Sequence, residues 1–186
     1  SVEEVIGQLS IVNSQLSISG VVLQLPLPSH LSSVSPSLTN LVSPEKDIDG
    51  LIPTSPFTPP VALAVLHVLR GSDINIENAN TIVCGRGQTA GKPIARLLEK
   101  SGAKVTVIHS QTSLSIVNSQ LLTADIVVSC VGRPNFIKGE MIKNGAVVIG
   151  VGINRLPEPE VRVVRPEGVP SSARSDNEDV GRDEGV

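Results

Sequence analysis

Apolar and polar positions change rhythm along this chain. Val2, Val5, Ile6 and Leu9 recur at helical spacing, so residues 2–9 are predicted to form the end of a helix. Val21 to Leu25 is apolar apart from Gln24 and is predicted to be a buried strand, broken by Pro26 and Pro28. Residues 29–43 are rich in Ser, Pro, Thr and Asn and read as a loop or a short helical turn. Prolines at 44, 53, 56, 59 and 60 rule out regular structure over 44–60. Val61–Leu69 is apolar on every side and predicts a buried helix, with Thr58 as its N-cap and Pro59 and Pro60 in the first turn.

Beyond residue 80 the pattern becomes regular. Thr81–Cys84, Lys104–His109, Asp125–Cys130 and Gly145–Val151 read as short strands, and Lys92–Lys100 and Leu114–Leu122 as helices. This alternation predicts an α/β fold with a doubly wound parallel sheet and helices on both faces. The boundary with the preceding part is expected near 57–70, which divides the chain into residues 1–60, 61–155 and 156–186. From Leu156 the composition shifts to Pro, Arg, Ser, Asp and Glu without a periodic apolar stripe, the signature of disorder. Ser-Ile-Val-Asn-Ser-Gln-Leu occurs at 10–16 and again at 115–121, but the surroundings do not repeat, so it is no solenoid signature.

Composition narrows the chemistry. With two Phe and no Tyr or Trp, the core must be built from Val, Ile, Leu and Ala. Cys84 and Cys130 sit in apolar strand-like runs, which fits reduced, buried thiols in a cytoplasmic protein. Three scattered histidines make a metal site an unpromising expectation. No segment approaches the roughly 20 apolar residues of a membrane span, and no basic-then-apolar leader opens the chain, so neither membrane insertion nor secretion is expected. Residues 1–154 hold 10 basic and 10 acidic side chains, and residues 155–186 hold 5 and 8, which gives the net −3. The body therefore offers no basic face for nucleic acid.

The best-founded site is Gly85-Arg86-Gly87-Gln88-Thr89-Ala90-Gly91, which follows a strand and opens a helix. Gly85 suits the tight turn, Gly87 lets a phosphate approach the backbone, and Gly91 allows close helix packing. A helix N-terminus carries free N–H groups and about half a positive charge for a pyrophosphate. The spacing is one residue longer than the commonest dinucleotide fingerprint, and a plain glycine-rich turn is the competing reading. NAD-binding folds usually end the second strand in an acid. Here it ends in His109-Ser110-Gln111-Thr112, with Arg86 alongside, which favours a 2′-phosphate and NADP. Arg86 as a solvated surface charge and His109 as a strand-end residue bonded to backbone are the plainer alternatives. Upstream, Gln24 either caps a backbone group or shares a pocket with Asp49 that handles a polar ring. Lys46 and Lys92 read as surface or phosphate-side charges.

Several segments, in order, resemble the tetrahydrofolate dehydrogenase/cyclohydrolase family: Leu23-Gln24-Leu25-Pro26-Leu27-Pro28, Lys46-Asp47-Ile48-Asp49-Gly50, Ser55-Pro56-Phe57-Thr58-Pro59, the glycine loop with Lys92-Pro93, His109-Ser110-Gln111-Thr112, and Gly145 to Asn154. The likeness covers roughly residues 1–154. It implies part of an N-terminal α/β folate domain joined to a Rossmann-like nucleotide domain, NADP as cofactor, tetrahydrofolate derivatives as substrates and pairing into homodimers. By position it implies that Gln24 lies beside the pterin, that Asp49 bonds the pterin ring, that Arg86 and Ser110 contact the cofactor phosphate, that Gly132 and Pro134 line the nicotinamide side, and that Ile153 and Asn154 end the last strand near the cofactor. The chain also departs from the pattern. Phe57, Gly87 and Gly150 replace the family's Cys, Ser and Asp, and with no tyrosine at all the chain lacks the Tyr-x-x-x-Lys acid/base motif. The resemblance thus implies a chain cut at its N-terminus and altered after Asn154.

Overall fold

The structure, a computed structural model, describes residues 1–152, all within one compact unit, Ser1–Asn154. The expectations for Ile153, Asn154 and the tail lie outside the described residues. The first helix, α1 (Val2–Ser14), outruns the periodic stretch 2–9. It opens with a capping box in which Ser1 Oγ accepts from the Glu4 amide at 3.2 Å and the Glu4 side chain binds the terminal amine. Residues 29–43 hold a 3-10 turn, Ser29–Val34, and the short helix α2 (Ser35–Thr39).

The expected buried strand over Val21–Leu25 does not form. Val21 makes a single parallel bridge to Asp47, and Gln24 is exposed. The reason is partnership: two prolines remove donors just beyond the run, and no longer ladder flanks it among the described residues. The next helix, α3 (Pro60–Gly71), starts on Pro59 rather than Thr58 and is not buried all round. Ala62, Val65, Leu66 and Leu69 face the core, while Leu63 and Val68 are about half exposed. Period 3.6 offers one face to a single neighbouring layer, so an all-apolar helix still leaves a bare side.

Strands β1 (Asn80–Cys84), β2 (Lys104–Ile108), β3 (Ile126–Ser129) and β4 (Val147–Gly150) form one parallel sheet in the order β2-β1-β3-β4. The register places Val83 opposite Val107 on one side and Val128 on the other. Helices α4 (Gly91–Lys100) and α5 (Leu114–Thr123) cross between them. Alternate strand residues divide between two cores. Val83, Ile126 and Val128 pack with α3 and α4, through Leu66, Leu69, Ile94 and Leu98. Ile82, Cys84, Ile108 and Val127 pack with Val117 and Leu121 of α5. Both faces are covered, as a doubly wound parallel sheet requires.

Candidate nucleotide site

The order β2-β1-β3 reverses at β1: the chain goes to one side for β2 and returns to the other for β3. Open parallel sheets bind ligands at the carboxyl end of such a switch point. The loop 85–91 leaves β1 at that point. Its turn is set by Gly85, whose φ is +111° and whose amide donates to Ile108 O at 2.8 Å. Gly91 lies so close to the Gly85 carbonyl that any Cβ there would collide with it. This contact packs the start of α4 against the end of β1. Gly87 stands in open space, with nothing within 4 Å of where a Cβ would be.

Helix α4 begins at this loop without a side-chain cap, and no acid occupies its first turn. Lys92, in that turn, is unfavourable for the helix dipole unless an anion lies nearby. The Lys92 and Ile94 amides already donate to Gly87 O and Ala90 O, each at 3.0 Å, and Pro93 has no N–H, so in the first turn the Gly91 amide is the one left for an anionic ligand. At the loop's outer rim the Arg86 guanidinium donates to Gln111 Oε1 at 3.2 Å. That bond holds Arg86 next to exposed Ser110 without neutralising it. His109 is occupied locally: its amide donates to Thr112 Oγ1 at 3.0 Å and its Nδ1 accepts from the Gln111 amide at 3.3 Å. Across the switch point Gly132 and Pro134 are exposed just after β3. A side chain at Gly152 would run into Val131 O at 2.5 Å, so the chain beyond β4 passes close to this loop.

The N-terminal segments form the opposite wall. A cavity of about 320 Å³ lies between Leu25, Leu27 and Ser35 on one side and Gln88 and Thr89 on the other. A second, of about 480 Å³, lies between Gly50, Phe57 and Asn40 and the α4 side chains Lys92 and Arg96, with Gln88 again on its wall. Neither cavity is lined by Gln24 or Asp49. Gln24 donates to Leu25 O at 3.1 Å from an exposed position, and Asp49 is half-buried in the turn before Gly50. Their flanking residues Leu25 and Gly50 reach the two cavities, while the two side chains themselves are not brought into one pocket.

Sequence reasoning missed Lys46 and Asp47. Lys46 is no surface charge: it is 9% exposed and its Nζ donates to the carbonyls of Val12, Asn13 and Gln15. Asp47 is 3% exposed and its Oδ2 accepts from the Ile52 amide at 3.0 Å. Three charges before a glycine gave a signal, but nothing in it distinguishes which of them turn inward.

Three further groups are perturbed by their surroundings. Burial pushes the Cys84 thiol up to about 12, with a smaller push from Cys130, whose own thiol burial raises to about 11. Neither is a thiolate at neutral pH, so neither is a nucleophile. Asp125 is held below the usual aspartate range, chiefly by its bond from Lys143 and then by the Asn80 amide. It sits at the amino end of β3, away from the switch point, and ties β1 and the approach to β4 together. No cluster of metal-ligating side chains occurs among the described residues, and no helix there is long and apolar enough to cross a membrane.

A doubly wound sheet with a glycine loop, an uncapped helix N-terminus and an arginine at its switch point defines a dinucleotide-binding α/β protein. The model of the tetrahydrofolate dehydrogenase/cyclohydrolase NAD(P)-binding domain matches residues 59–167, and the chain belongs to this family. The chain is 36% identical over 161 residues to the bifunctional protein FolD of Staphylococcus epidermidis, covering 82% of this chain and 55% of that protein. The FolD of Staphylococcus aureus strain Newman is 35% identical over 159 residues, covering 81% and 54%. The crystal structure of Trypanosoma brucei methylenetetrahydrofolate dehydrogenase-cyclohydrolase, complexed with NADP cofactor and inhibitor, superposes with a TM-score of 0.78 at 36% identity, over 86% of this chain and 57% of that one. Campylobacter jejuni FolD gives 0.76 at 29% identity, over 83% and 57%. This chain thus spans little more than half the length of the relatives it matches.

Proposed function

We propose that this chain is the nucleotide-binding part, with an adjoining piece of the folate-binding part, of an NADP-dependent methylenetetrahydrofolate dehydrogenase/cyclohydrolase. The observation that carries the reading is the switch-point site: a glycine loop with Arg86 and Ser110 at its rim and no acid at the end of β2. Residues 1–60 contribute the folate side and residues 61–155 the nucleotide side. Gly85, Gly87 and Gly91 receive the pyrophosphate, and Arg86 with Ser110 receives the 2′-phosphate. Gly132 borders the nicotinamide, and the segments that carry Gln24 and Asp49 reach the folate side through their neighbours Leu25 and Gly50.

NADP, when bound, accepts a hydride. The hydride leaves the one-carbon bridge of 5,10-methylenetetrahydrofolate and gives the 5,10-methenyl cation. Water then adds to that carbon, its bond to N5 breaks, a proton is released and 10-formyltetrahydrofolate results. The part of this chain is to position the two reactants. A cytoplasmic location accords with the free thiols Cys84 and Cys130. Pairing into a homodimer accords with the bare apolar side of α3, Leu63 and Val68.

A non-catalytic NADP- or folate-binding module is the second reading, favoured by the position of Gln24 and Asp49 outside both cavities. Titration calorimetry with NADPH and NADH tests the first step. NADPH is expected to bind tighter by about tenfold, the scale of one charge-assisted contact. Equal affinities would overturn the NADP assignment. Absorbance at the NADPH band, with 5,10-methylenetetrahydrofolate and NADP supplied, then separates an enzyme from a binding module.

A further inference from the structure

Lys46 belongs to the motif before Gly50 but touches neither cavity. Its ammonium has three protons, and all three are spent inside the protein: on Val12 O at 2.8 Å, Asn13 O at 2.7 Å and Gln15 O at 2.8 Å. Those carbonyls close the end of α1, where no basic residue of the helix itself stands. A cation there satisfies orphan acceptors and the negative end of the dipole together.

The same residue is tied on its other side. Lys46 O accepts from the Val21 amide at 2.7 Å and from Ile48 at 2.9 Å. Next to it, buried Asp47 holds the Ile52 amide with its carboxylate, and its carbonyl accepts from Gly50 N and Ser55 Oγ, each at 3.0 Å. Three segments therefore meet on two residues: the end of α1, the run leading to Gln24, and the turn that presents Asp49.

We propose that Lys46 is a positioning residue, which fixes the Gln24 run and the Asp49 turn against α1 so that the ring-binding side of the cleft is formed before ligand arrives. The inference rests on the folate reading given above for what that side binds. Lys46 acts through the main chain and through Asp47, and it contacts no reactant. Freed from it, the turn keeps its covalent neighbours but loses its fixed distance to α1, and misplacement on the scale of an ångström weakens a preorganised site strongly.

Lys46→Met keeps the aliphatic stem and removes the donors. Tetrahydrofolate and NADPH are each titrated into the wild-type chain and the variant, and amide exchange is measured on both proteins. The expected result is an affinity loss of about tenfold or more for tetrahydrofolate and of less than about twofold for NADPH. Exchange should quicken at Val21, Ile48, Gly50 and Ile52 and stay unchanged at Gly85 and Cys130. Unchanged tetrahydrofolate affinity overturns the proposal. So does equal weakening of both ligands, or faster exchange everywhere, since Lys46 would then only stabilise the whole fold. If the wild-type chain binds NADPH but no tetrahydrofolate, the folate reading falls and the exchange pattern alone decides the clamp. If Lys46→Met does not fold, Lys46→Arg is read in the same two ways: its planar fork cannot converge on three carbonyls, and a smaller loss of the same selectivity is expected.

Discussion

Leu9–Leu16 and Leu114–Leu121 carry the same eight residues, Leu-Ser-Ile-Val-Asn-Ser-Gln-Leu, in two parts of the molecule. In the first, the leading leucine is 6% exposed and the trailing one 99%. In the second the values are 76% and 0%. Positions one, four, five and eight of the octapeptide share one helix face, so the sequence offers the same stripe twice. The first copy belongs to α1, which ends at Ser14 and releases its last leucine. The second lies wholly inside α5, and its last turn rests on the sheet. The asparagines differ likewise. Asn13 donates to Leu41 O at 2.7 Å and accepts from the Ser43 amide at 3.0 Å, whereas Asn118 is exposed. Periodicity selects the face of a helix; the neighbours decide which half of the face is used.

Matched substitutions in the two copies turn that contrast into numbers. The largest effect is expected for Leu121→Ala, about 2–5 kcal/mol of stability by urea unfolding, against less than about 0.5 kcal/mol for Leu16→Ala. Leu9→Ala should cost about 2 kcal/mol and Leu114→Ala almost nothing, the reverse order along the same sequence. Equal costs within either pair would mean that the two contexts are not as described. The second copy also lies in the unit proposed to bind nucleotide. Arg86→Ala there should weaken NADPH by about tenfold, or 1.4 kcal/mol, and leave NADH unchanged, while Leu16→Ala should alter neither. Asn13→Ala should cost about 1 kcal/mol and Asn118→Ala nothing measurable, because only Asn13 serves two backbone groups.

The smallest effect concerns acid. Asp125 is a half-exposed carboxylate held below its ordinary range by Lys143. Its contribution is complete above the unfolded value of about 3.9 and disappears as pH falls through the lower folded value. Asp125→Asn should therefore lower stability slightly at neutral pH and remove part of the loss on acidification below about pH 4, so that the two proteins converge in acid.

How much of this was legible depends on where the partners are. The four strands of the sheet announce themselves because each is a β-branched run that pairs over its whole length, and the glycine loop because its conformation is written in residue types. Val21–Leu25 has the composition of a strand, yet a strand exists only through its neighbours, and one bridge to Asp47 is what it has. Lys46 looked like an ordinary solvated charge because its partners are backbone carbonyls more than thirty residues earlier, groups that every residue carries and no sequence marks. The candidate site was half legible for the same reason. Local features of the loop were readable, and the wall that faces it depends on long-range closure.

Cys84 is wholly enclosed between β1 and α5, and its thiol is pushed up to about 12. An alkylating reagent can meet it only when the sheet parts from that helix, so the rate of its labelling measures how often the nucleotide unit breathes. The molecule thus carries its own stopwatch for opening, placed one residue before the loop where a ligand would slow it.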